Sequence, residues 1–306
     1  MASLKEIKGR IASVRNTLKI TSAMKMVAAA KLHRAQQAFE GMRPYEKALQ
    51  EMLERLQSSV TPYAALSDQP AETPVEYDEN GDEMVVSRPA LALVLFTSNS
   101  SLCGGFNANV IKRFFALLDE LHADGYDDAS LCICTIGKKG ADAVRKIGLQ
   151  PWMDCSSLAD HPDAQGIAAL ANRLQEEYDS GHVGSLRLVY NHYASNAHQP
   201  TRVEEVPFPS STAAHAGHDG RRCGDYIVEP SCEELLSALQ PRVFRQKLYS
   251  TLLDAQAAEH AARTVAMQTA SDNADSLLEE LTLEYNKSRQ QKITAEILDL
   301  VGGQKR

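Results

Sequence analysis

The longest stretch of regular apolar spacing in this sequence covers residues 231–301, at its carboxyl-terminal end. Apolar side chains recur there every three or four positions, the spacing of one helix face, until Gly302. Ser231 with Glu234 three positions later is typical of a capped helix start. A helix of this length measures roughly 100 Å, whereas an average helix in a globular protein has about 12 residues. The pattern therefore predicts a rod that needs a partner helix along its length.

A second helical pattern covers residues 3–57. Its first apolar positions alternate steps of three and four residues, as in the seam of a coiled coil; they are Leu4, Ile7, Ile11, Val14, Leu18 and Thr21. Pro44 predicts a kink or a restart of this helix. Two helices of an ordinary bundle would explain the apolar stripes but not why the two longest helices lie at opposite ends of the chain. That placement favours an antiparallel hairpin of helices closed around an inserted domain.

Residues 90–208 change to the pattern of an α/β domain. Residues 90–97 are a continuous apolar run, typical of a buried parallel strand, and strand and helix patterns alternate after it. The predicted strands are residues 90–97, 130–136, 185–193 and 201–208, and the predicted helices are residues 107–123, 138–147 and 165–179. This alternation predicts a small doubly wound α/β domain.

The remaining segments connect these parts. Residues 61–89 form a linker in which Asn80-Gly81, between two β-prone runs, predicts a hairpin with an acidic, solvated tip. Residues 209–230 predict a mobile polar loop. The predicted fold class is α/β plus long helices, an antiparallel two-helix coiled coil with an inserted small doubly wound α/β domain. Its parts are a coiled-coil helix over residues 1–60, the domain over residues 90–208 and a second coiled-coil helix over residues 231–306.

Charge and composition narrow the possible partners. The net charge of −8 gives no reason to expect nucleic acid or an acidic lipid surface. Residues 1–47 carry ten basic and three acidic side chains, whereas residues 231–300 carry seven basic and eleven acidic ones, so the two long helices are suited to lie side by side. The sequence has no run of eighteen apolar residues, which predicts no membrane span, and its polar start is not typical of a signal peptide.

Reactive side chains do not form a spacing from which a catalytic or metal site can be argued, and no cofactor is expected. The six cysteines occur without a CxxC pair, which predicts free thiols in a reducing, cytosolic compartment. Cys132 and Cys134 share one strand face, but they lack a second ligand pair for zinc. The turn SNSSLCGGFN could place a phosphate on helix amides, although it has neither the GxGxxG nor the GxxxxGKS spacing. Tight packing of the turn is the alternative interpretation.

Polar groups on the long helices also allow two interpretations. Lys25 lies between two methionines, and residues 285–292 concentrate polar and basic groups on an otherwise acidic helix. Solvated helix faces would explain both groups, whereas a belt that contacts acidic loops of surrounding chains is the sharper hypothesis. Two further function classes stay open: a nucleotide- or phosphate-binding α/β protein with a coiled-coil dimerisation arm, and a structural adaptor that dimerises through its long helices.

Three segments resemble a known family over nearly the whole chain. They are MASLKEIKGRIASVRNTLKITSAMKMVAAAKLHRAQ, the SLCGGFN turn, and AARTVAMQTASDNADSLLEELTLEYNKSRQQKITAEILDLVGG. Together they resemble the gamma subunits of the rotary F-type ATP synthases. The resemblance implies a non-catalytic central stalk whose helices insert into a ring of alternating alpha and beta subunits. The α/β domain would lie at the foot, with the epsilon subunit and the membrane ring of c subunits.

The resemblance also implies a location and a set of contact residues. The chain would be a peripheral protein at the cytoplasmic face of the inner (plasma) membrane, where proton flow turns the c ring and the stalk drives the catalytic beta subunits. The positions that match a contact with an acidic loop of beta are Met24 and Lys25. The positions that match a polar contact with beta higher in the ring are Arg289, Gln290 and Thr294. The apolar bearing at the top of the ring would contain Ile297, Leu298, Leu300 and Val301.

The sequence departs from the family at three places. Residues 98–101, Ser-Asn-Ser-Ser, replace a usual Asp-Arg-Gly, which removes any charge contact made by that turn. The insertion over residues 66–88 is longer than in common members. Chloroplast members carry a closely spaced regulatory cysteine pair that Cys223 and Cys232 do not match, so thiol regulation is not expected.

Overall fold

The computed structural model describes residues 3–60, 76–77, 83–84, 89–209, 222–223, 226–229 and 231–303. Within these ranges the side chains of residues 57–60, 76–77, 83–84, 222–223, 226–227, 233 and 301–303 are not described.

Two long helices form the longest part of the molecule, as predicted. Helix α1 comprises Leu4–Val60 and helix α6 comprises Cys232–Gly303. The serine cap of α6 is present, since Glu234 N donates to Ser231 Oγ at 3.2 Å. Helix α1 continues through Pro44, so the helix does not restart there. The proline removes one backbone hydrogen bond, but contacts with α6 on both sides of it, at Met42 and Glu46, hold the flanking turns.

The two helices run antiparallel and approach closely. Ser250 Oγ donates to Glu46 Oε2 at 2.7 Å, and the hydroxyls of Thr21 and Ser271 are 2.9 Å apart. Later residues of α1 therefore lie beside earlier residues of α6. The predicted seam is confirmed, since Ile7 and Thr21 are buried. Small side chains allow helix axes to come close, and the buried alanines of this interface include Ala28, Ala35, Ala257 and Ala261.

The inserted domain contains one five-stranded sheet with the order β5-β4-β3-β6-β7. Its strands are β3 (Ala90–Phe96), β4 (Leu131–Ile136), β5 (Met153–Asp154), β6 (Val183–Asn191) and β7 (Thr201–Val206). The first four are parallel, and β7 pairs antiparallel with β6 at the edge. The four predicted strands are confirmed, whereas β5 was not predicted because two residues carry no periodic signal.

Helices cover both faces of the sheet, which confirms the doubly wound α/β fold. They are α2 (Phe106–Ala123), α3 (Lys138–Lys146), the short α4 (Ser157–Asp160) and α5 (Ala164–Asp179), and a 3₁₀ helix covers Asp128–Ser130. Helices α2 and α3 pack on one face, where Phe114 and Val144 share a core with Leu93. Helices α4 and α5 pack on the other face together with α6, whose Leu248 and Leu252 join that core.

Two short antiparallel pairs lie outside this sheet. Strand β1 (Glu76–Tyr77) pairs with β2 (Glu83–Met84), which confirms the hairpin predicted around Asn80-Gly81, although the turn itself lies outside the described residues. Strand β8 (Arg222–Cys223) pairs with β9 (Tyr226–Ile227) inside the segment predicted as a polar loop. The loop prediction is therefore wrong at these four residues, and residues 210–221 are not described.

The prediction that every cysteine is a free thiol is wrong. Cys232 is disulfide-bonded, while the free cysteines are Cys103, Cys132, Cys134 and Cys155. Cys232 begins α6 and is buried beside Leu56 and Val228, where the ends of both long helices meet. Cysteine spacing could not reveal the bond, because pairing depends on which segments the fold brings within reach.

Gly137 connects β4 to α3, and a substitution there tests how closely the backbone packs at this connection. Its φ is +107°, and a Cβ added there would lie 2.1 Å from the carbonyl oxygen of Thr97. We expect Gly137→Ala to lower the free energy of unfolding by at least about 3 kcal/mol, because backbone strain and steric overlap add. The control is Gly125→Ala, which has a φ of +88° and no atom within 4 Å of an added Cβ. Urea unfolding of both variants checks this, and equal losses would contradict the role of Thr97.

Candidate functional site

Helix α6 extends beyond the start of α1 as a single helix. Thr21 lies beside Ser271 in the antiparallel pair, so Leu4, the first residue of α1, lies beside a residue near position 288. Residues 289–303 of α6 therefore project past α1 by roughly 20 Å at 1.5 Å per residue. We call residues 289–303 the tip. Every described side chain from residue 289 to residue 300 is exposed.

Most of the predicted contact residues lie on this tip. Arg289 and Gln290 are exposed, and Thr294 Oγ1 donates to the carbonyl oxygen of Gln290 at 2.9 Å. Three apolar side chains face water although they are large: Ile297 is 54% exposed, Leu298 65% and Leu300 74%. The side chain of Val301 lies outside the described residues. An apolar surface of this kind, on a helix without a partner, is typical of a binding surface.

Met24 and Lys25 lie elsewhere on the rod. Both are half-buried, and Lys25 Nζ donates to Gln268 Oε1 on α6. Since Arg289 comes 21 positions after Gln268 on the same helix, the two groups of predicted residues are separated by roughly 30 Å along the axis. The structure therefore places them at two levels of the rod and does not bring them together.

Three exposed apolar residues lie near Lys25, and of these the sequence analysis included Met26 in the predicted contact belt but missed Ile20 and Val27. Ile20 is 60% exposed, Met26 66% and Val27 56%. They point away from α6, whereas the seam residues Thr21 and Ala28 beside them in sequence are buried. The available signal was their phase, because apolar residues outside the three-four seam cannot be covered by the partner helix.

Polar groups of the glycine turn after β3 are hydrogen-bonded to side chains of the same turn. Ser98 N donates to Asn107 Oδ1 at 3.0 Å, and Asn107 Nδ2 donates to Ser98 Oγ at 2.8 Å. Asn99 Oδ1 accepts from the backbone N–H of Lys138, and Asn99 Nδ2 donates to the carboxylate of Asp160. These bonds tie the turn to α2, α3 and α4, which favours tight packing of the turn.

Helix α6 also covers the carboxyl edge of the sheet, where open α/β sheets bind ligands. Polar side chains of α6 reach the loops that follow three of the strands. Asp254 contacts His192 and Tyr193 after β6, Gln256 donates to the carbonyl of Ala159 after β5, and Arg263 donates to Ser100 Oγ after β3. The edge is thus occupied by the chain's own helix. Sequence analysis missed these residues, although charged side chains within the run DAQAAEHAAR were a signal.

His260 is half-buried beside these contacts, and its buried Nδ1 atom has no hydrogen-bond partner among the described residues. Burial, together with the positive charges of Arg263 and Lys31, lowers the pKa of His260 to about 4. Glu259 next to it is hydrogen-bonded to Arg263 at 2.6 Å, while burial raises the pKa of its carboxyl. His260 is therefore a neutral residue in the folded protein near neutral pH.

The described part of the chain contains neither a metal-binding cluster nor a membrane-spanning helix. No group of three or more His, Cys, Asp or Glu side chains there could hold a metal ion. Nor is any of its helices both long enough and apolar enough to cross a membrane.

Comparison with known proteins identifies the family. The sequence profile of the family described as ATP synthase matches residues 3–305. The chain is 46% identical over 306 residues to the ATP synthase gamma chain of Phocaeicola vulgatus, with 99% of each chain covered. The chain belongs to the ATP synthase gamma chain family. Another gamma chain, from Flavobacterium johnsoniae, is 38% identical over 309 residues and covers 99% of this chain and 98% of its own.

Solved structures share the gamma chain fold at lower identity. A chain of the Euglena gracilis mitochondrial ATP synthase, solved as OSCP/F1/c-ring, has a TM-score of 0.62 and 19% identity, covering 98% of this chain and 93% of its own. A chain of the Tetrahymena thermophila mitochondrial ATP synthase, solved as central stalk/c-ring, has a TM-score of 0.57 and 21% identity, covering 82% and 99%. The predicted membership and fold class are both confirmed.

His260 gives a pH prediction for this gamma chain. Its pKa is about 4 in the folded chain and about 6.5 when unfolded. Between these values the unfolded chain binds a proton that the folded chain does not, so the stability contributed by neutral His260 is complete above about pH 6.5. It is lost as the pH falls to about 4, by at most about 3 kcal/mol. We expect His260→Gln to remove this part of the pH dependence.

Urea unfolding of the purified chain between about pH 7 and about pH 4.5 measures this effect. The variant His161→Gln, which removes an exposed imidazole, controls for the loss of a ring. Parallel stability curves for the wild-type chain and His260→Gln would contradict the prediction.

Proposed function

We propose that this chain is the rotating central stalk of an F-type ATP synthase. In this proposal the antiparallel rod of α1 and α6 enters a ring of alternating alpha and beta subunits, tip first. The α/β domain lies at the foot, with the epsilon subunit and a membrane ring of c subunits. The observation that carries the proposal is the bare tip of α6 at the end of a two-helix rod, in a chain whose relatives are named ATP synthase gamma chains.

The asymmetric shape of the rod couples its rotation to conformational changes of the beta subunits. A pair of helices has no threefold axis, so three identical subunits around it each meet a different face. A ligand shifts a conformational equilibrium only if it binds the two states with different free energies. Rotation of an asymmetric rod therefore presents each beta subunit in turn with a contact that favours another conformation. Proton flow through the c ring would drive ATP synthesis in this way, and ATP hydrolysis would reverse it.

The contact residues act at two levels in this proposal. Lys25 and Met24, with the exposed Met26 and Val27 beside them, face an acidic loop of the beta subunits on the lower level. The tip turns inside an apolar collar on the upper level, where large side chains such as Leu298 and Leu300 would leave water. Burial of each such side chain stabilises the contact by roughly 1.5–3 kcal/mol. The polar residues in the first turns of the tip make the contact that changes with the angle of rotation.

We propose that the chain itself is not catalytic. The glycine turn and the carboxyl edge of the sheet use their polar groups internally, which supports placing the chemistry on other subunits. The chain would be held at the cytoplasmic face of the inner (plasma) membrane through the complex, as a peripheral protein.

Assembly with partner subunits tests the proposal first. We expect the chain to co-purify with its alpha and beta subunits as one copy against three of each, because one asymmetric rod serves the whole ring. Native mass measurement of the complex checks the ratio. The purified chain alone should turn over no ATP. A stable homodimer, or ATP turnover by the lone chain, would contradict the proposal.

Charge reversal tests the two contact levels. We expect Lys25→Glu combined with Arg289→Glu to lower proton-driven ATP synthesis by at least about fivefold, since coupling free energies between sites are typically 1–3 kcal/mol. ATP synthesis in vesicles that contain the assembled complex measures the change.

Two control variants separate contact from structure. Gln268→Met removes the bond that Lys25 makes across the rod and leaves the lysine in place. Lys112→Glu reverses an exposed charge on α2, inside the α/β domain. A loss in Gln268→Met equal to that of the double variant would mean that Lys25 acts only within the rod.

A further inference from the structure

Tyr193 lies where the α/β domain meets both helices of the rod. Its ring packs against α1 and α6 at once, in a cluster that contains Leu32, Ala35, Ala257 and Ala261. Its hydroxyl accepts a hydrogen bond from Gln36 Nε2 of α1 at 2.6 Å and donates one to Asn196 Oδ1 at 2.8 Å. Its backbone N–H donates to Asp254 Oδ1 of α6 at 2.8 Å. One residue of the domain thus bonds to both helices.

Asp254 of α6 is itself held in place by hydrogen bonds. It is 4% exposed, and its second oxygen, Oδ2, lies 2.6 Å from His192 Nδ1. A buried carboxylate is costly unless hydrogen bonds compensate for lost hydration. Its two bonds to consecutive residues, His192 and Tyr193, therefore admit one position of the loop after β6 relative to α6. Burial raises the pKa of the Asp254 carboxyl, while the bonds to His192 and Tyr193 lower it.

The larger contact between α6 and the domain is apolar and does not fix one position in the same way. Phe244, Leu248, Leu252 and Ala255 pack on the sheet. Apolar burial depends on area and is not directional, so such a surface specifies the rotation of a helix less sharply than hydrogen bonds do, because these have strict distances and angles. Gln256 and Arg263 of α6 also bond to the domain. The bonds around Tyr193 add contacts to both helices and so help to define one rotational position of the domain on the rod.

We propose that Tyr193, positioned by Asp254 and Gln36, locks the α/β domain to both helices so that domain and rod turn as one body. This inference rests on the proposed stalk function. Torque that enters at the foot must pass from the domain to the rod, and Tyr193 contacts α1 as well as α6. Tyr193, Asp254 and Gln36 are positioning residues, since they act on coupling and touch no substrate.

The test uses the complete ATP synthase in vesicles. Tyr193→Phe removes the hydroxyl bonds but keeps the ring, and Gln36→Met removes the donor on α1 at nearly constant size. We expect each variant to pump fewer protons per ATP hydrolysed, while the rate of ATP hydrolysis is retained. The double variant should lose no more than Tyr193→Phe alone, because Tyr193→Phe already removes the bond that Gln36→Met removes. Hydrogen exchange of residues 190–196 in the complex should rise about fivefold, as expected for loss of the part-buried bond between Gln36 and Tyr193.

Tyr190→Phe is the matched control. It removes the hydroxyl of a tyrosine on β6 that donates to Glu204 Oε2 at 3.0 Å within the α/β domain, and it leaves the ion pair between Glu204 Oε1 and Lys247 of α6 in place. Its pumping ratio should equal that of the wild-type complex. The inference is overturned if Tyr193→Phe pumps as many protons per ATP as the wild-type complex, or if Tyr190→Phe shows the same loss. A wild-type complex that hydrolyses ATP without pumping protons would overturn the stalk function itself.

Discussion

The close antiparallel packing of α1 against α6 is the contact on which the rest of this structure depends. A helix of 72 residues draws most of its stability in water from packing, since propensity alone contributes little. Alanines at the interface, such as Ala35 and Ala261, let the helices approach so closely that the rod stays thin. Helix α1 covers α6 only as far as its own first residue, and the part of α6 beyond that point is the exposed tip. The extent of the partner helix thus sets the extent of the binding surface.

Helix α6 meets two partners along its middle, and its composition follows from this. One stretch presents Leu248 and Leu252 to the sheet, and the next presents Ala257 and Ala261 to α1. Little of the surface there faces water, so the charged residues of this stretch are buried with partners. Burying a charge is unfavourable even when it is paired. Residues such as Asp254 are thus explained by the geometry they impose and not by a gain in stability.

Sequence patterns predicted the long helices, their coiled-coil seam and the main strands because each has many residues in a regular period. Shorter features carry no such period, and β5, with two residues, follows only from its pairing with β4. The tip residues could be assigned through resemblance, but their exposure depends on where α1 starts beside α6. The contacts of Tyr193 join segments far apart in the chain. The spacing of residues along a sequence does not show which distant segments come into contact.

The order of the elements has a consequence for the synthesis of the chain. Thr21 cannot contact Ser271 until the ribosome has added a further 250 residues. At 5–20 residues per second, a ribosome needs roughly 12–50 s to make that length, whereas a helix forms within about a microsecond. During that interval α1 carries an apolar stripe with nothing of its own chain to cover it. The apolar stripe of the amino-terminal helix is therefore open to contacts with other molecules until translation is nearly complete.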